Sequence, residues 1–196
     1  MADANPPSPL NPEECRPPTL EDVVKLCRAL NDAQALYLVV GGFAMRAAGF
    51  LRSTMDVDLL IETSLQNEER VIKAMMTLPD GAIREMKAGD VDKFEVVRVA
   101  DEILVDLMKS GCGIQYAEAA QHILWRDVDG VRIPFASPQL LWRMKQTHRE
   151  KDIPDRLFLR KLLHEELGSK DAHRCGDSGS GTLREWVRRL FRGGSK

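Results

Sequence analysis

The chain has 196 residues, of which 43% are hydrophobic and 30% charged, and a formal net charge of −2. That length and apolar content suit one domain with a sizeable core, with or without a helical appendage, and the near-neutral charge argues against generalised polyanion binding while leaving room for a local basic patch. The four cysteines, Cys15, Cys27, Cys112 and Cys175, form no C-x-x-C pair, which leaves neither a zinc spacing nor a disulfide framework. No basic-then-apolar signal pattern opens the chain, and no apolar run approaches the ~20 residues of a membrane-spanning helix. A soluble cytoplasmic protein is expected.

Residues 1–18 are proline-rich and polar and read as a disordered or draped arm. Thr19 is a suitable helix cap, and Leu20, Val23, Val24, Cys27 and Leu30 recur at helical spacing, giving a first helix over about 20–31. The apolar run Leu36–Val40 reads as a strand. Gly41 and Gly42 end it, and residues 43–50 have helix-forming composition. A second strand, Asp56–Ile61, carries Asp56 and Asp58 two positions apart, so both carboxylates project from one face. Acids that close repel each other, and a divalent cation is the simplest compensation. Hard oxygen ligands favour Mg²⁺ or Mn²⁺.

Leu65–Leu78 reads as an amphipathic helix with Val71, Ile72, Met75 and Met76 on its apolar side, stopped by Pro79-Asp80-Gly81. Residues 93–99 and 103–108 look like an antiparallel hairpin. Asp106 lies between Val105 and Leu107 in its second strand. An acid in an apolar strand needs a reason, because an unpaired buried charge is costly. It is either a satisfied polar group at a strand end or sheet edge, or a third acid of the Asp56–Asp58 site. Glu95 and Asp101 are possible substitutes for it, although Glu95 has charged neighbours that suit a solvent-facing position.

Gly111-Cys112-Gly113 marks a loop, and nothing near Cys112 in sequence offers a base to activate it. Residues 114–121 form a short helix candidate. Residues 122–136 read as strand, Asp-Gly turn, strand, with His122 in a structural role. Ser137-Pro138 is a helix start, giving a helix over 138–149. Another helix begins near Lys151–Asp155 and runs to about Leu167. Lys145 and Arg149, four apart, share a helical face that either reaches a nucleotide phosphate or is simply solvated. Residues 168–182 read as a flexible linker. Residues 183–196 read as a basic amphipathic helix that docks on its own domain, or binds a partner protein, RNA or a membrane surface.

At two places the chain resembles a family. Val40-Gly41-Gly42, then Asp56-Val57-Asp58-Leu59, is similar to the glycine turn and Asp-x-Asp strand of nucleotidyltransferases related to DNA polymerase β. Arg52-Ser53-Thr54-Met55 before the aspartates looks like the R-x-T-x-D-x-D form of the small bacterial members. The segment from Ser137-Pro138 through Lys145, Arg149, Lys151, Asp152 and Asp155 also resembles them, so the likeness spans about residues 36–167. It implies an α+β (α/β-like) fold, with a small mixed sheet, packed helices and a helical C-terminal region. The resemblance further implies two Mg²⁺ ions, Mn²⁺ being possible, held by Asp56, Asp58 and Asp106. Gly41, Gly42, Arg52, Thr54 and Lys145 would bind the nucleotide, ATP or another NTP. The acceptor would be a tRNA end, a protein side chain or a small molecule, and relatives include toxin–antitoxin and abortive-infection enzymes. A catalytically inactive nucleotide- or partner-binding module on the same fold is the alternative. No G-x-G-x-x-G, G-K-[ST] or G-x-S-x-G pattern supports a dinucleotide fold, a Walker-type NTPase or a serine hydrolase.

Overall fold

A computed structural model describes residues 14–172, with side chains as far as Glu165. Residues 1–13 of the expected arm, the linker beyond residue 172 and the basic helix 183–196 lie outside the described residues.

The elements in order are α1 (Leu20–Asp32), β1 (Tyr37–Val39), α2 (Gly41–Ala47), β2 (Asp56–Ile61), α3 (Leu65–Met75), α4 (Asp90–Phe94), β3 (Val96–Ala100), β4 (Leu104–Met108), β5 (Ser110–Gly111), β6 (Ile114–Gln115), α5 (Tyr116–Ala119), β7 (Ile123–Val128), β8 (Val131–Ala136), α6 (Pro138–Met144) and α7 (Ile153–Ala172). Six strands form one mixed sheet in the order β3-β4-β2-β1-β8-β7. β2 runs parallel to β4 and antiparallel to β1, and β3–β4 and β7–β8 are antiparallel hairpins. The fold is therefore α+β with a mixed sheet, as the sequence suggested.

Strand alternation gives the sheet its two characters. Val57, Leu59, Ile61, Val105 and Leu107 are all fully buried and belong to one core with Leu26, Leu30, Phe135 and Met75. The alternate positions Asp56, Asp58 and Asp106 open onto the other face. α2 packs against β2 and α6, and α6 against α7, which closes a cleft over that face. α1 starts with a capping box between Thr19 and Asp22. α6 starts on the Ser137 cap followed by proline at its first turn.

Several boundaries depart from the sequence reading. Residues 14–18 are not a free arm. Arg16 forks onto both Asp22 oxygens at 2.6 and 2.8 Å, and its backbone N–H donates to the Glu102 carbonyl at 3.0 Å. The helix after the diglycine begins at Gly41 rather than residue 43. Lys93 and Phe94 belong to α4, not to the hairpin. That short helix was hidden because its cap comes from far away: buried Glu68 accepts from the N–H groups of Gly89, Val91 and Asp92 at 2.8, 3.3 and 3.2 Å. α6 stops at Met144, and α7 continues to Ala172, past Leu167 and into the stretch read as linker.

Asp101, one candidate for the third acid, is fully buried in the β3–β4 turn. Its carboxylate accepts from the N–H groups of Asp80, Ala82 and Glu102 at 3.0, 3.0 and 2.9 Å. It therefore serves the fold. Glu95, the other candidate, is exposed, with its side chain 3.6 Å from Lys109. Replacing Asp101 with alanine removes the acceptor of three backbone N–H groups, and a loss of about 2–4 kcal/mol in urea unfolding is expected.

Candidate metal and nucleotide site

Asp56 and Asp58 lie on β2, and Asp106 sits directly opposite Asp58 in the parallel β2–β4 register. One carboxylate oxygen from each of the three can be chosen so that all lie within 4.8 Å of one another. Burial, together with the neighbouring Asp56 and Asp106 carboxylates, pushes Asp58 up to about 6, against a weaker opposite pull from Lys145 and the Gly42 N–H. Among the described residues, neither Asp56 nor Asp58 has an ion-pair partner. Three acids converging on one point, two of them without an ion-pair partner among the described residues, are a donor set that fits a hard divalent cation.

The glycine turn is shaped around this cluster. Gly41 has φ +57°, and a Cβ there would lie 1.8 Å from Asp58 Oδ2. Only glycine combines that backbone conformation with so close an approach. A Cβ on Gly42 would lie 2.3 Å from Thr54 Oγ1. Thr54 is buried in that space, and its hydroxyl donates to Asp56 Oδ1 at 3.1 Å. Thr54 thus orients the first aspartate.

The cleft above the acids has a volume of about 310 Å³ and takes in Gly41, Thr54, Asp56, Asp58, Met108 and Lys145. Its lining also carries four cations, Arg52, Lys145, Arg149 and Lys151. Two buried acids on the α6–α7 segment anchor two of these cations. Lys145 Nζ lies 2.9 Å from Asp152 and 3.0 Å from Asp155, and Arg52 Nε lies 3.2 Å from Asp155. Burial alone would raise Asp152, but hydrogen bonds from Thr147 and Lys145 outweigh it and hold the carboxyl below its usual range.

Lys145 and Arg149 do line one cleft, yet not by sharing a helical face. Lys145 is the cap residue after α6, and Arg149 is extended at φ −72°, ψ 127°. Past the helix end, Arg156 Nη1 donates to the Lys145 and Thr147 carbonyls at 3.1 and 2.9 Å. Cys112 is exposed, and its thiol donates to the Met144 carbonyl at 3.0 Å. His122 is exposed at the end of a 3-10 turn, away from the cleft lining.

Sequence reasoning overlooked Arg98. It stands opposite Asp106 in the β3–β4 register, and its Nε and Nη2 donate to the two Asp106 oxygens at 2.8 and 2.7 Å. The observed β3–β4 turn is centred on Glu102, which sets position 98 against 106, whereas a turn over residues 100–102 would set it against 104.

No family model matches the sequence, and no curated protein matches it at a significant level. Among solved structures, the chain is similar to a candidate nucleotidyltransferase from Thermotoga maritima, at 13% identity and a TM-score of 0.43, over 87% of this chain and 92% of that one. It is also similar to an antigenic nucleotidyltransferase-like protein from Paracoccidioides brasiliensis, at 18% identity and a TM-score of 0.46, over 79% of each chain.

Proposed function

We propose that the protein is a metal-dependent nucleotidyltransferase, which moves an NMP from an NTP to a hydroxyl acceptor and releases pyrophosphate. The observation that carries this reading is the convergence of Asp56, Asp58 and Asp106 within 4.8 Å, with Asp56 and Asp58 lining a cleft that Arg52, Lys145, Arg149 and Lys151 also line. The acids suit divalent cations, and the basic lining residues suit the phosphate tail those cations accompany.

Asp56, Asp58 and Asp106 would hold Mg²⁺ or Mn²⁺, which supplies charge neutralisation at the reacting phosphate and acidifies the attacking hydroxyl. The chain's own contribution is placement. Thr54 fixes Asp56. Gly41 lets backbone approach the phosphates at a point where a side chain would strike Asp58. Lys145 and Arg52, held by Asp152 and Asp155, present positive charge to the β- and γ-phosphates without having to be ordered on binding. Little covalent work remains for the protein in such a reaction, so position and charge dominate. The acceptor hydroxyl belongs to a tRNA end, a protein side chain or a small molecule. Among the described residues, no helix is long and apolar enough to cross a membrane. A second reading, nucleotide binding without turnover, is favoured by the Arg98 fork on Asp106.

Transfer of label from each α-labelled NTP in a cell extract with Mg²⁺ or Mn²⁺ tests the assignment, and nucleotide binding without labelled product would support the inactive module instead. Asp58→Asn is expected to abolish transfer, at least a hundredfold, while raising the melting temperature by a few degrees, since it removes one charge from a repelling cluster. A fall in melting temperature would contradict the repulsion.

The pH dependence has a defined sign. Asp58 is raised in the folded protein, so its contribution to stability is complete below its ordinary value near 3.8 and is lost as pH rises through about 6. Metal competes with the proton for that carboxylate. Mn²⁺ affinity, followed by calorimetry, is therefore expected to drop as pH falls below about 6.

Gly41→Ala is expected to cost about 1–3 kcal/mol of stability and to remove transfer by displacing Asp58, whereas Gly89→Ala, also at positive φ but away from the cleft lining, should cost stability alone. Urea melts and single-turnover transfer assays separate the two effects.

A further inference from the structure

The three acids are not equivalent. Both Asp106 oxygens already accept charge-assisted hydrogen bonds from Arg98, at 2.8 and 2.7 Å, while Asp56 and Asp58 have no ion-pair partner among the described residues. A forked guanidinium matches a carboxylate in geometry as well as charge. The two partners also differ in freedom. The Asp106 side chain is 9% exposed and Arg98 is 52% exposed. Arg98 lies on β3, the edge strand of the sheet. If the pair opens, the arginine swings out into water and Asp106 stays.

Resting on the nucleotidyltransferase reading, we infer that Arg98 is the built-in occupant of the third carboxylate. The folded chain admits one divalent ion at Asp56 and Asp58, and a second ion at Asp106 has to displace the guanidinium. Arg98 is thus a positioning residue that sets how many cations the site holds and keeps Asp106 turned toward its neighbours. The second ion arrives only when something repays the broken fork, and a polyphosphate that brings its own negative charge to the cleft does so.

Mn²⁺ titration of the full chain, with free Mn²⁺ read by electron paramagnetic resonance, tests this without reference to turnover. Wild type should bind one ion tightly. Arg98→Gln should gain a second ion, or bind about tenfold more tightly, equivalent to about 1.4 kcal/mol. That gain should vanish when Asp106→Asn is added. Arg98→Lys keeps the charge and the aliphatic stem but not the fork. It covers the case in which Arg98→Gln loosens the hairpin, and it should show the same gain at smaller size. Equal stoichiometry and affinity in wild type and both Arg98 variants, or a gain that survives Asp106→Asn, overturns the inference. If Asp58→Asn loses Mn²⁺ while the Arg98 variants match wild type, the proposed function stands and this inference alone falls. Absence of Mn²⁺ binding from wild type and Arg98→Gln alike overturns both.

Discussion

The structure depends on one costly juxtaposition: Asp58 opposite Asp106 in a parallel strand pair, with Asp56 two residues earlier on the same face. Each fully ionised pair at such separations repels by roughly 3 kcal/mol at an effective dielectric near 20. A domain with a typical margin of about 5–15 kcal/mol feels that strongly. The cost is borne by the reverse side of the same strands, where Val57, Leu59, Ile61, Val105 and Leu107 are fully buried. Because side chains alternate, the register that buries those residues is the register that assembles the acids. A one-residue slip would lose both together.

Acids and cations share the cleft lining. Among the described residues, the acidic cluster has an ion-pair partner only at Asp106, through Arg98. The basic lining residues are treated in the opposite way. Lys145 and Arg52 are tied to Asp152 and Asp155, which are 3% and 1% exposed. Anchored cations contribute less net charge than free ones but lose less entropy when an anion binds. Arg149 and Lys151 have no ion-pair partner among the described residues, and they supply the charge that the anchored pair gives up.

The acids were legible because strands leave a local record. Asp56–Ile61 runs over the residues expected for it, and Asp106 stood out as an acid in an apolar strand. The glycines were legible as a turn, but their steric reason was not, since Asp58 and Thr54 approach them from elsewhere in the chain. α4 escaped notice because Glu68, more than twenty residues earlier, caps it, and a cap so remote leaves no adjacent sequence signature. Helical phase linked Lys145 to Arg149 for the wrong reason. Past the end of α6, the Arg156 side chain donates to carbonyls that no local propensity marks. Arg98 was overlooked because each hairpin strand was read for its own periodicity and not for the pairing across the turn.

The segment from Leu51 to Met55 joins the acids of the cleft to its cations. Thr54 grips Asp56, while Arg52, two residues before it, reaches Asp155. Thr54 can sit where it does only because residue 42 lacks a side chain. Any larger residue there would push the hydroxyl off Asp56 and, through a linker of one residue, pull on Arg52. Gly42, Thr54 and Arg52 are therefore linked through one short loop, although none of them is an acid of the cluster. The spacing between the glycine turn and the aspartate strand is then more than a connection: it is the length of chain that lets one short loop set the distance between the cations and the carboxylates.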